Sequence, residues 1–310
     1  MLDMLPTELA LQILQTAATE LRFTDRQSVV NLASTSNAVY NIVAPILYHT
    51  MIVTAKTRDL IAAFTRDEST QAAAKRVCSH VRMVLEDTGS ARSINPKLLL
   101  NVVTVLAVAN FARDLAEAQC QMVAAPTTGP QLRKITLNCI DLKESISWIP
   151  QRSRALITHV AGFLPIFVRT DDWNMFFSPS GKPAHGPERW TRSIIDDLPA
   201  LTHFAFILAA ENEEYEATDA FELGVLGRAL ETALSVSRLK QVVLKVCGRY
   251  VERRREEIEL ILDRILEPRL SVAWEERPLT SWYEYDNWSR EEVVAGRSIW
   301  TQAVPVFAAS

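Results

Sequence analysis

The architecture of the chain is inferred from its N-terminal segment. That segment begins with the stretch Leu5-Pro6-Thr7-Glu8-Leu9-Ala10-Leu11-Gln12-Ile13-Leu14. Pro6 suits the first position of a helix, because the N–H that proline lacks would be unpaired there. Glu8 places a carboxylate at the positive end of that helix. An apolar row follows at helical spacing: Leu9, Ile13, Ala17 and Leu21. The sequence therefore predicts an amphipathic helix at the N-terminus.

Two further short helices are predicted before residue 50. Thr24-Asp25-Arg26-Gln27 fits a capping box, with Thr24 as the N-cap and Gln27 reaching back to it. It opens the mainly apolar run 28–33. A third apolar segment, 39–48, contains Pro45, which is expected to kink or divide it. The first fifty residues are thus predicted to form a three-helix unit.

This unit resembles an F-box. The likeness is carried, in order, by Leu5-Pro6-x-Glu8-Leu9-x-x-x-Ile13-Leu14, Val29-Val30-x-Leu32-Ala33 and Ala44-Pro45-x-Leu47-Tyr48. The family is the three-helix module by which substrate receptors dock on the Skp-type adaptor of cullin-RING ubiquitin ligases. The resemblance implies an adaptor-docking surface formed by Leu5, Pro6, Glu8, Leu9, Ile13, Leu14, Val30 and Leu32. Three short helices cannot bury so many aliphatic side chains among themselves, which also favours a partner surface.

A six-residue frame, L-x-x-L-x-L, recurs after the N-terminal helices and resembles the strand signature of leucine-rich repeats. It occurs at 78–83, 132–137, 201–206 and 239–244, more faintly at 157–162, and a last copy is placed at 269–274. Helical patterns lie at 96–121, 221–235 and 252–266, and a short strand and helix are expected at 51–53 and 58–64. Only one interval between the frames fits the regular repeat of ~20–29 residues.

The predicted fold class is therefore α/β, with an N-terminal three-helix F-box followed by an irregular leucine-rich-repeat-like strand–helix solenoid. The alternative is an α/β domain whose strands are unrelated. The predicted domains are 1–50, a substrate-binding region at 51–281 and an aromatic tail at 282–310. Residues 198–203 resemble the starts of repeat strands in fungal F-box proteins.

Two aromatic segments interrupt or end the repeats. Residues 165–197 are predicted to be an insertion, since the stretch 169–191 has turn composition and no apolar period. Part of it is expected to pack on the body of the protein, because aromatic residues such as Trp173 and Trp190 are costly to expose. The tail carries Trp282, Tyr283, Tyr285, Trp288 and Trp300. It is predicted to cap the last repeat, with an aromatic recognition patch as the alternative.

No catalytic, cofactor-binding or metal-binding residues are predicted. The chain has nine glycines and no phosphate-binding loop, and its five histidines never fall three or four residues apart. Three of them, His80, His159 and His203, recur near the starts of candidate strands and are interpreted as structural. The four cysteines form no C-x-x-C pair and are expected to be buried free thiols in a reducing compartment. A catalytic nucleophile and its base can be distant in sequence and adjacent in the folded chain, and such a pair is left open by the sequence.

Charge and hydropathy limit the partners. A net charge of −4, from 33 basic and 37 acidic residues, indicates no nucleic-acid partner. The Arg253-Arg254-Arg255 tract alternates with glutamates, and pairing of Arg253 with Glu257 and of Arg255 with Glu259 predicts a solvated helix face. The apolar window 98–112 is shorter than the ~20 residues of a membrane span and is expected to be a core helix. No secretory signal is evident, so cytoplasmic or nuclear localisation is expected.

The predicted function is that of a non-catalytic substrate receptor in an SCF-type ubiquitin ligase. Its partners would be the Skp-type adaptor, cullin through that adaptor, and a target protein that the sequence does not name. Thr35, Asn37 and Ala38 depart from the F-box pattern. They leave open a non-ligase interaction scaffold that binds a protein on a solenoid face. An enzyme is a third possibility, although no motif names a reaction.

Overall fold

Helices and strands alternate along most of the chain in a computed structural model, which is of the mixed α/β class. It describes residues 6–22, 24–53, 68–86, 104–108, 133–138, 146, 149, 151–164, 187–210, 219–277 and 297–306. The chain forms two compact units, one of residues 1–106 and 118–131, the other of residues 107–117 and 132–310. Strand β3 (Thr104–Val108) has residues in both.

The first unit begins with three helices that pack on one another: α1 (Thr7–Leu21), α2 (Arg26–Ala33) and α3 (Asn37–Leu47). Their common core consists of Ala18, Val29, Ala33, Val43 and Leu47, all buried. Strand β1 (Thr50–Val53), helix α4 (Glu68–Cys78) and strand β2 (Met83–Glu86) follow. The two strands pair in parallel. The three predicted N-terminal helices and the strand at 51–53 are therefore confirmed.

The caps of these helices differ in part from the prediction. Asp25, not Thr24, is the N-cap of α2, and its Oδ1 accepts a 3.2 Å hydrogen bond from the Ser28 N–H. Gln27 donates to Asn31 Oδ1 instead of reaching back. Asp25 is the residue immediately before the helix, so its carboxylate reaches an open N–H group of the first turn directly. Pro45 lies inside α3 without dividing it.

The second unit contains a sheet whose parallel strands pair in chain order. These are β4 (Lys134–Asn138), β5 (His159–Phe163), β6 (His203–Ala210), β7 (Gln241–Gly248) and β8 (Leu270–Glu275). The helices are α5 (Gln151–Arg154), α6 (Pro187–Asp197), α7 (Asp219–Leu234) and α8 (Arg249–Arg264). The described tail forms α9 (Ile299–Gln302) and β9 (Val304–Pro305), which pairs antiparallel with β8.

The two faces of this sheet are covered differently. One face carries the buried residues Ala161, Ala205, Ile207, Val243 and Cys247, and α9 packs against them. Side chains alternate along a strand, so Phe204, Phe206, Val242 and Leu244 lie on the other face, and all are buried. Helices α7 and α8 contact β7, and α6, α7 and α8 pack in series. Each strand of this part of the sheet is therefore buried on both sides, which explains its continuous apolar sequence.

Four predicted strands of the second unit begin two residues into their frames, and β8 begins one residue into the frame at 269–274. Strands β4, β5, β6 and β7 begin at positions 134, 159, 203 and 241, whereas the frames begin at 132, 157, 201 and 239. The first residues of three frames, Ile157, Leu201 and Leu239, are buried immediately before their strands. They are buried where the chain turns into the sheet. The predicted helices at 221–235 and 252–266 correspond to α7 and α8.

Two sequence predictions are wrong. The frame at 78–83 is not a strand, because α4 continues to Cys78 and β2 begins only at Met83. The window 98–112 contains strand β3 rather than a core helix, in keeping with the β-branched residues Thr104, Val105 and Val108. The end of the predicted insertion at 165–197 forms helix α6, and its Trp190 is buried, as expected for an aromatic residue that packs on the body. The predicted helix at 58–64 and residues 165–186 lie outside the described residues.

Candidate functional site

Helix α1 exposes three aliphatic side chains. Leu9 is 48% exposed, Ile13 is 53% exposed and Leu21 is 38% exposed. Leu9 and Ile13, one turn apart, lie on the side of the helix away from Ala18, which is buried against α2 and α3. Leu21 lies nearer the side that carries Ala18. Helix α1 therefore exposes an apolar pair on the side opposite its core contact. This face of α1 is a candidate docking surface.

The other predicted docking residues divide into exposed and packed positions. Pro6 and Glu8 are exposed at the start of α1, with Glu8 in the first helical turn. Leu14 is half-buried, and Val30 and Leu32 are half-buried against the core of the three helices. Leu5 lies outside the described residues. The structure thus brings Pro6, Glu8, Leu9 and Ile13 onto accessible parts of one helix and gives Val30 and Leu32 a partly structural role.

The docking prediction missed Leu21, although the apolar row that contains it was recognised. Its signal was the same spacing that links Leu9, Ile13 and Ala17. Single exposed aliphatic residues are ordinary on protein surfaces, but Leu9 and Ile13 stand one turn apart and form a small apolar patch that association can cover. Chemically, such a face can bind a complementary apolar surface, and it carries no group suited to catalysis.

The region where α1 ends and α3 leads into β1 is more polar than the exposed apolar part of α1. Burial lowers the pKa of Arg22, and burial together with Arg22 and Arg82 lowers the pKa of His49. Burial also raises the pKa of Tyr48. By contrast, the hydrogen bonds from Ser28 lower the pKa of the exposed Asp25 carboxyl. At neutral pH, His49 is therefore uncharged and Asp25 is ionised at the N-terminus of α2.

A second group of side chains lies on the sheet of the other unit. His159 and His203 occupy paired positions at the starts of β5 and β6. Their rings stack with centroids 3.9 Å apart, and Trp300 of α9 meets both edge-on at 5.3 and 5.8 Å. The predicted structural role fits this packing for both histidines. His80, in contrast, lies in the turn after α4 and not in a strand.

The remaining sequence candidates are structural where they are described. Cys78 and Cys247 are buried free thiols, and burial raises the pKa of Cys78 to about 11. No cluster of three or more His, Cys, Asp or Glu residues suited to a metal occurs within the described ranges. None of the helices in those ranges is long and apolar enough to span a membrane.

The arginine-rich face of α8 follows the prediction in part. Arg255 pairs with Glu259 at 2.9 Å, as expected. Glu257, the predicted partner of Arg253, pairs with Arg254 at 2.9 Å. Arg255 also lies over the Trp274 ring, 4.8 Å from its centroid. These contacts hold the charged groups on a helix face and are typical of a solvated surface.

Comparisons with known proteins add little to this description. No protein-family model matches the chain, and no curated protein matches it either. Among solved structures, the chain shows a likeness to the arginine decarboxylase of Paramecium bursaria Chlorella virus bound to agmatine. The identity is 12% and the TM-score 0.30, over 80% of this chain and 69% of that chain. A likeness at this TM-score carries no argument about fold or activity.

Proposed function

We propose that this chain is a substrate receptor of an SCF-type cullin-RING ubiquitin ligase. Residues 1–50 would act as the F-box that docks on the Skp-type adaptor, and the remainder would hold a target protein for ubiquitination. The observation that carries the proposal is the exposure of Leu9, Ile13 and Leu21 on α1. These residues belong to a three-helix unit whose sequence resembles an F-box, at positions that the resemblance assigns in part to docking.

The energetics of this face favour a partner. Burial of apolar surface contributes about 25 cal/mol per Å², so covering each half-exposed Leu or Ile side chain would contribute about 1 kcal/mol. The three helices already have a shared core in Ala18, Val29, Val43 and their neighbours. The exposed residues are therefore not needed to hold them together, and association is the step that would bury them.

The substrate region is proposed to be an irregular, leucine-rich-repeat-like solenoid. Its parallel strands pair in chain order, and a main-chain pattern recurs where they begin. The N–H groups of Thr158 and His159 both donate to the Arg133 carbonyl, and those of Thr202 and His203 to the Thr158 carbonyl. The N–H groups of Lys240 and Gln241 likewise share the Thr202 carbonyl. Such recurrence is expected when each strand–helix unit stacks on the one before it.

The proposal is tested by co-expressing the full chain with the Skp-type adaptor and capturing the tagged chain. The double variant Leu9→Ser/Ile13→Ser removes the two most exposed of these three aliphatic side chains without touching the buried core, so it is expected to fold. Wild-type protein should retain stoichiometric adaptor, whereas the double variant should lose at least nine-tenths of it. Leu260→Ser is the matched control, because Leu260 is 58% exposed on α8 in the other unit.

Two results would count against the proposal. Adaptor retained equally by the wild type and the double variant would show that α1 is not the docking helix. No adaptor on folded wild-type protein, judged by circular dichroism, would favour the interaction scaffold without ubiquitin transfer. In that case the N-terminal helices would serve only to cap the repeat region.

A further inference from the structure

Residues 297–306, here called the strap, cross one face of the sheet in the second unit. Helix α9 packs on that face, and β9 pairs with β8 at the edge of the sheet. The contacts of α9 are made by Ile299, Trp300 and Ala303, and the residues beneath are Ala161, Ala205, Ile207, Val243 and Cys247. The residues beneath are apolar and fully buried. The strap therefore covers the sheet face that lies away from α7 and α8.

Trp300 occupies a defined seat on this face. Its indole meets the stacked rings of His159 and His203 edge-on, at centroid distances of 5.3 and 5.8 Å. It also packs against the cluster that contains Ala161 and Ala205. These two alanines are paired across β5 and β6, two residues after the histidine pair and on the same face. Two aromatic rings and two small side chains thus form a seat for one large aromatic residue.

The strap buries little of itself while it covers this face. None of its residues is buried, and Val304 is 64% exposed. Helix α9 is a single turn of four residues, and its capping box joins Ser298 and Thr301, so these hydrogen bonds stay intact when the strap leaves the sheet. Strand β9 has two residues, after which the Val306 N–H donates to the Leu270 carbonyl. A segment with so little buried surface opens more easily than the strands beneath it.

We propose that the strap is an autoinhibitory cover, displaced when a short segment of a partner protein places a large aromatic residue in the seat of Trp300. The residue that the chain itself seats there defines the chemistry of the partner segment, which is a tryptophan beside an aliphatic side chain such as Ile299. Burial, above all, lowers the pKa of His159 to about 3, so its ring is uncharged at neutral pH and suits an aromatic contact. The inference rests on the proposed target-holding role of this region, not on adaptor docking.

An autoinhibitory strap has a measurable consequence for affinity. A partner segment binds only the molecules in which the strap is open, so its apparent affinity is reduced by the open fraction. Weakening the strap at Trp300 should therefore strengthen the binding of a segment supplied from outside the chain.

The experiment supplies the strap from outside. The probe is a synthetic peptide with the sequence of residues 297–306, titrated into the full chain, and the readout is the imidazole resonances of His159 and His203 in NMR spectra. In Trp300→Ala, the peptide should fill the seat and return both sets of resonances to their wild-type positions. In the wild type, its apparent affinity should be lower by about tenfold or more, because the strap competes.

Two altered peptides locate the binding. A peptide with alanine at the position of Trp300 should leave the histidine resonances of either protein unmoved. A peptide with alanine at the position of Val304 is the matched control, because that side chain is exposed in the strap, and it should act like the unaltered peptide.

Hydrogen exchange on the wild type measures the opening without any substitution. The Val306 amide donates to Leu270 and is freed when β9 leaves β8. It should exchange faster than the central amides of β7 by about a hundredfold or more, because opening of the strap costs less than global unfolding. If Trp300→Ala does not fold, this measurement decides.

Three results would overturn the proposal. The first is a folded Trp300→Ala chain whose histidine resonances do not respond to the unaltered peptide. The second is an equal response to the peptide that lacks tryptophan. The third is a Val306 amide that exchanges as slowly as the centre of β7, which would make the strap a permanent cap of the sheet. Adaptor capture is measured separately, so failure of docking and failure of the strap are distinguishable.

Discussion

The imidazole rings of His159 and His203 stack face to face, with centroids 3.9 Å apart and planes 6° from parallel. Each Nδ1 lies 2.8 Å from the hydroxyl of the preceding threonine, Thr158 or Thr202. Each of these hydroxyls also donates, at 3.2 Å, to the main chain of the strand before it. A hydroxyl has one hydrogen, so a hydroxyl that donates to the carbonyl accepts from Nδ1–H, and this arrangement favours the tautomer with the proton on Nδ1 in both neutral rings.

Protonation of this pair is predicted to destabilise the fold. Burial, His203 and Lys134 lower the pKa of His159 to about 3, and burial, Lys134 and Lys240 lower that of His203. Between the unfolded-state pKa of about 6.5 and the folded value, the unfolded chain binds more protons, so stability falls as pH falls. The thermal midpoint should therefore decrease from pH 7 to pH 5.

The matching variant is His159→Phe, which keeps an aromatic ring in the stack but cannot titrate. Its thermal midpoint should depend less on pH across the same range than that of the wild type. Some dependence should remain, because the pKa values of His49 and His203 are also lowered. An unchanged slope in the variant would contradict the assignment of the effect to His159.

Removal of Trp300 is predicted to loosen the histidine pair. Trp300 packs against the buried cluster of Ala161 and Ala205 and contacts both histidine rings edge-on. Trp300→Ala should lower the free energy of unfolding by about 2 kcal/mol, since this indole is only half-buried. The pKa of His159 should rise toward its ordinary value as water reaches the ring. Titration of the imidazole resonances by NMR measures this, and an unmoved pKa would contradict the prediction.

Arg269 is predicted to be a major stabilising residue. Its guanidinium donates to the carbonyls of Leu234, Val236 and Leu239, at 2.6, 3.1 and 3.0 Å, and forms a salt bridge with Glu267. It therefore supplies hydrogen bonds to the open main-chain carbonyls at the end of α7 and in the turn that leads into β7. Arg269→Lys should cost about 3 kcal/mol, because an ammonium cannot reproduce this set of donors.

Urea denaturation followed by circular dichroism measures the cost of Arg269→Lys. Arg255→Lys is the control, since Arg255 is paired with Glu259 on the exposed side of α8. The control should leave the free energy of unfolding close to that of the wild type, because exposed ion pairs contribute little to stability. Equal effects of the two substitutions would show that the carbonyl contacts of Arg269 contribute little.

Ser36 is predicted to stabilise the first unit as the N-cap of α3. Its Oγ accepts from the Val39 N–H at 3.2 Å. Ser36→Ala should lower stability by about 1 kcal/mol, whereas Ser36→Asp, which retains an acceptor, should be close to the wild type. Thermal unfolding followed by far-UV circular dichroism makes the comparison. Loss of stability in Ser36→Asp as large as in Ser36→Ala would contradict the capping role.

Local features were the part of this molecule most open to prediction from sequence. Three N-terminal helices, the strand after them, and helices α7 and α8 follow from apolar spacing, which is a property of neighbouring residues. The buried anchors Ile157, Leu201 and Leu239 could be recognised because the same frame recurs before β5, β6 and β7. The prediction was wrong at β3, where a continuous apolar run does not distinguish a buried helix from a buried strand.

Other features were decided by tertiary structure. The row that contains Leu9 and Ile13 could be read as apolar from the sequence, but only the packing of α1 through Ala18 leaves this pair exposed. The stack of His159 on His203 and the contact of Trp300 with both rings join residues far apart in the chain. Sequence by itself determined which segments form helices and strands, because that choice depends on local spacing. Which side chains meet depended on strand register and on the path of the tail, which are set by contacts between distant segments.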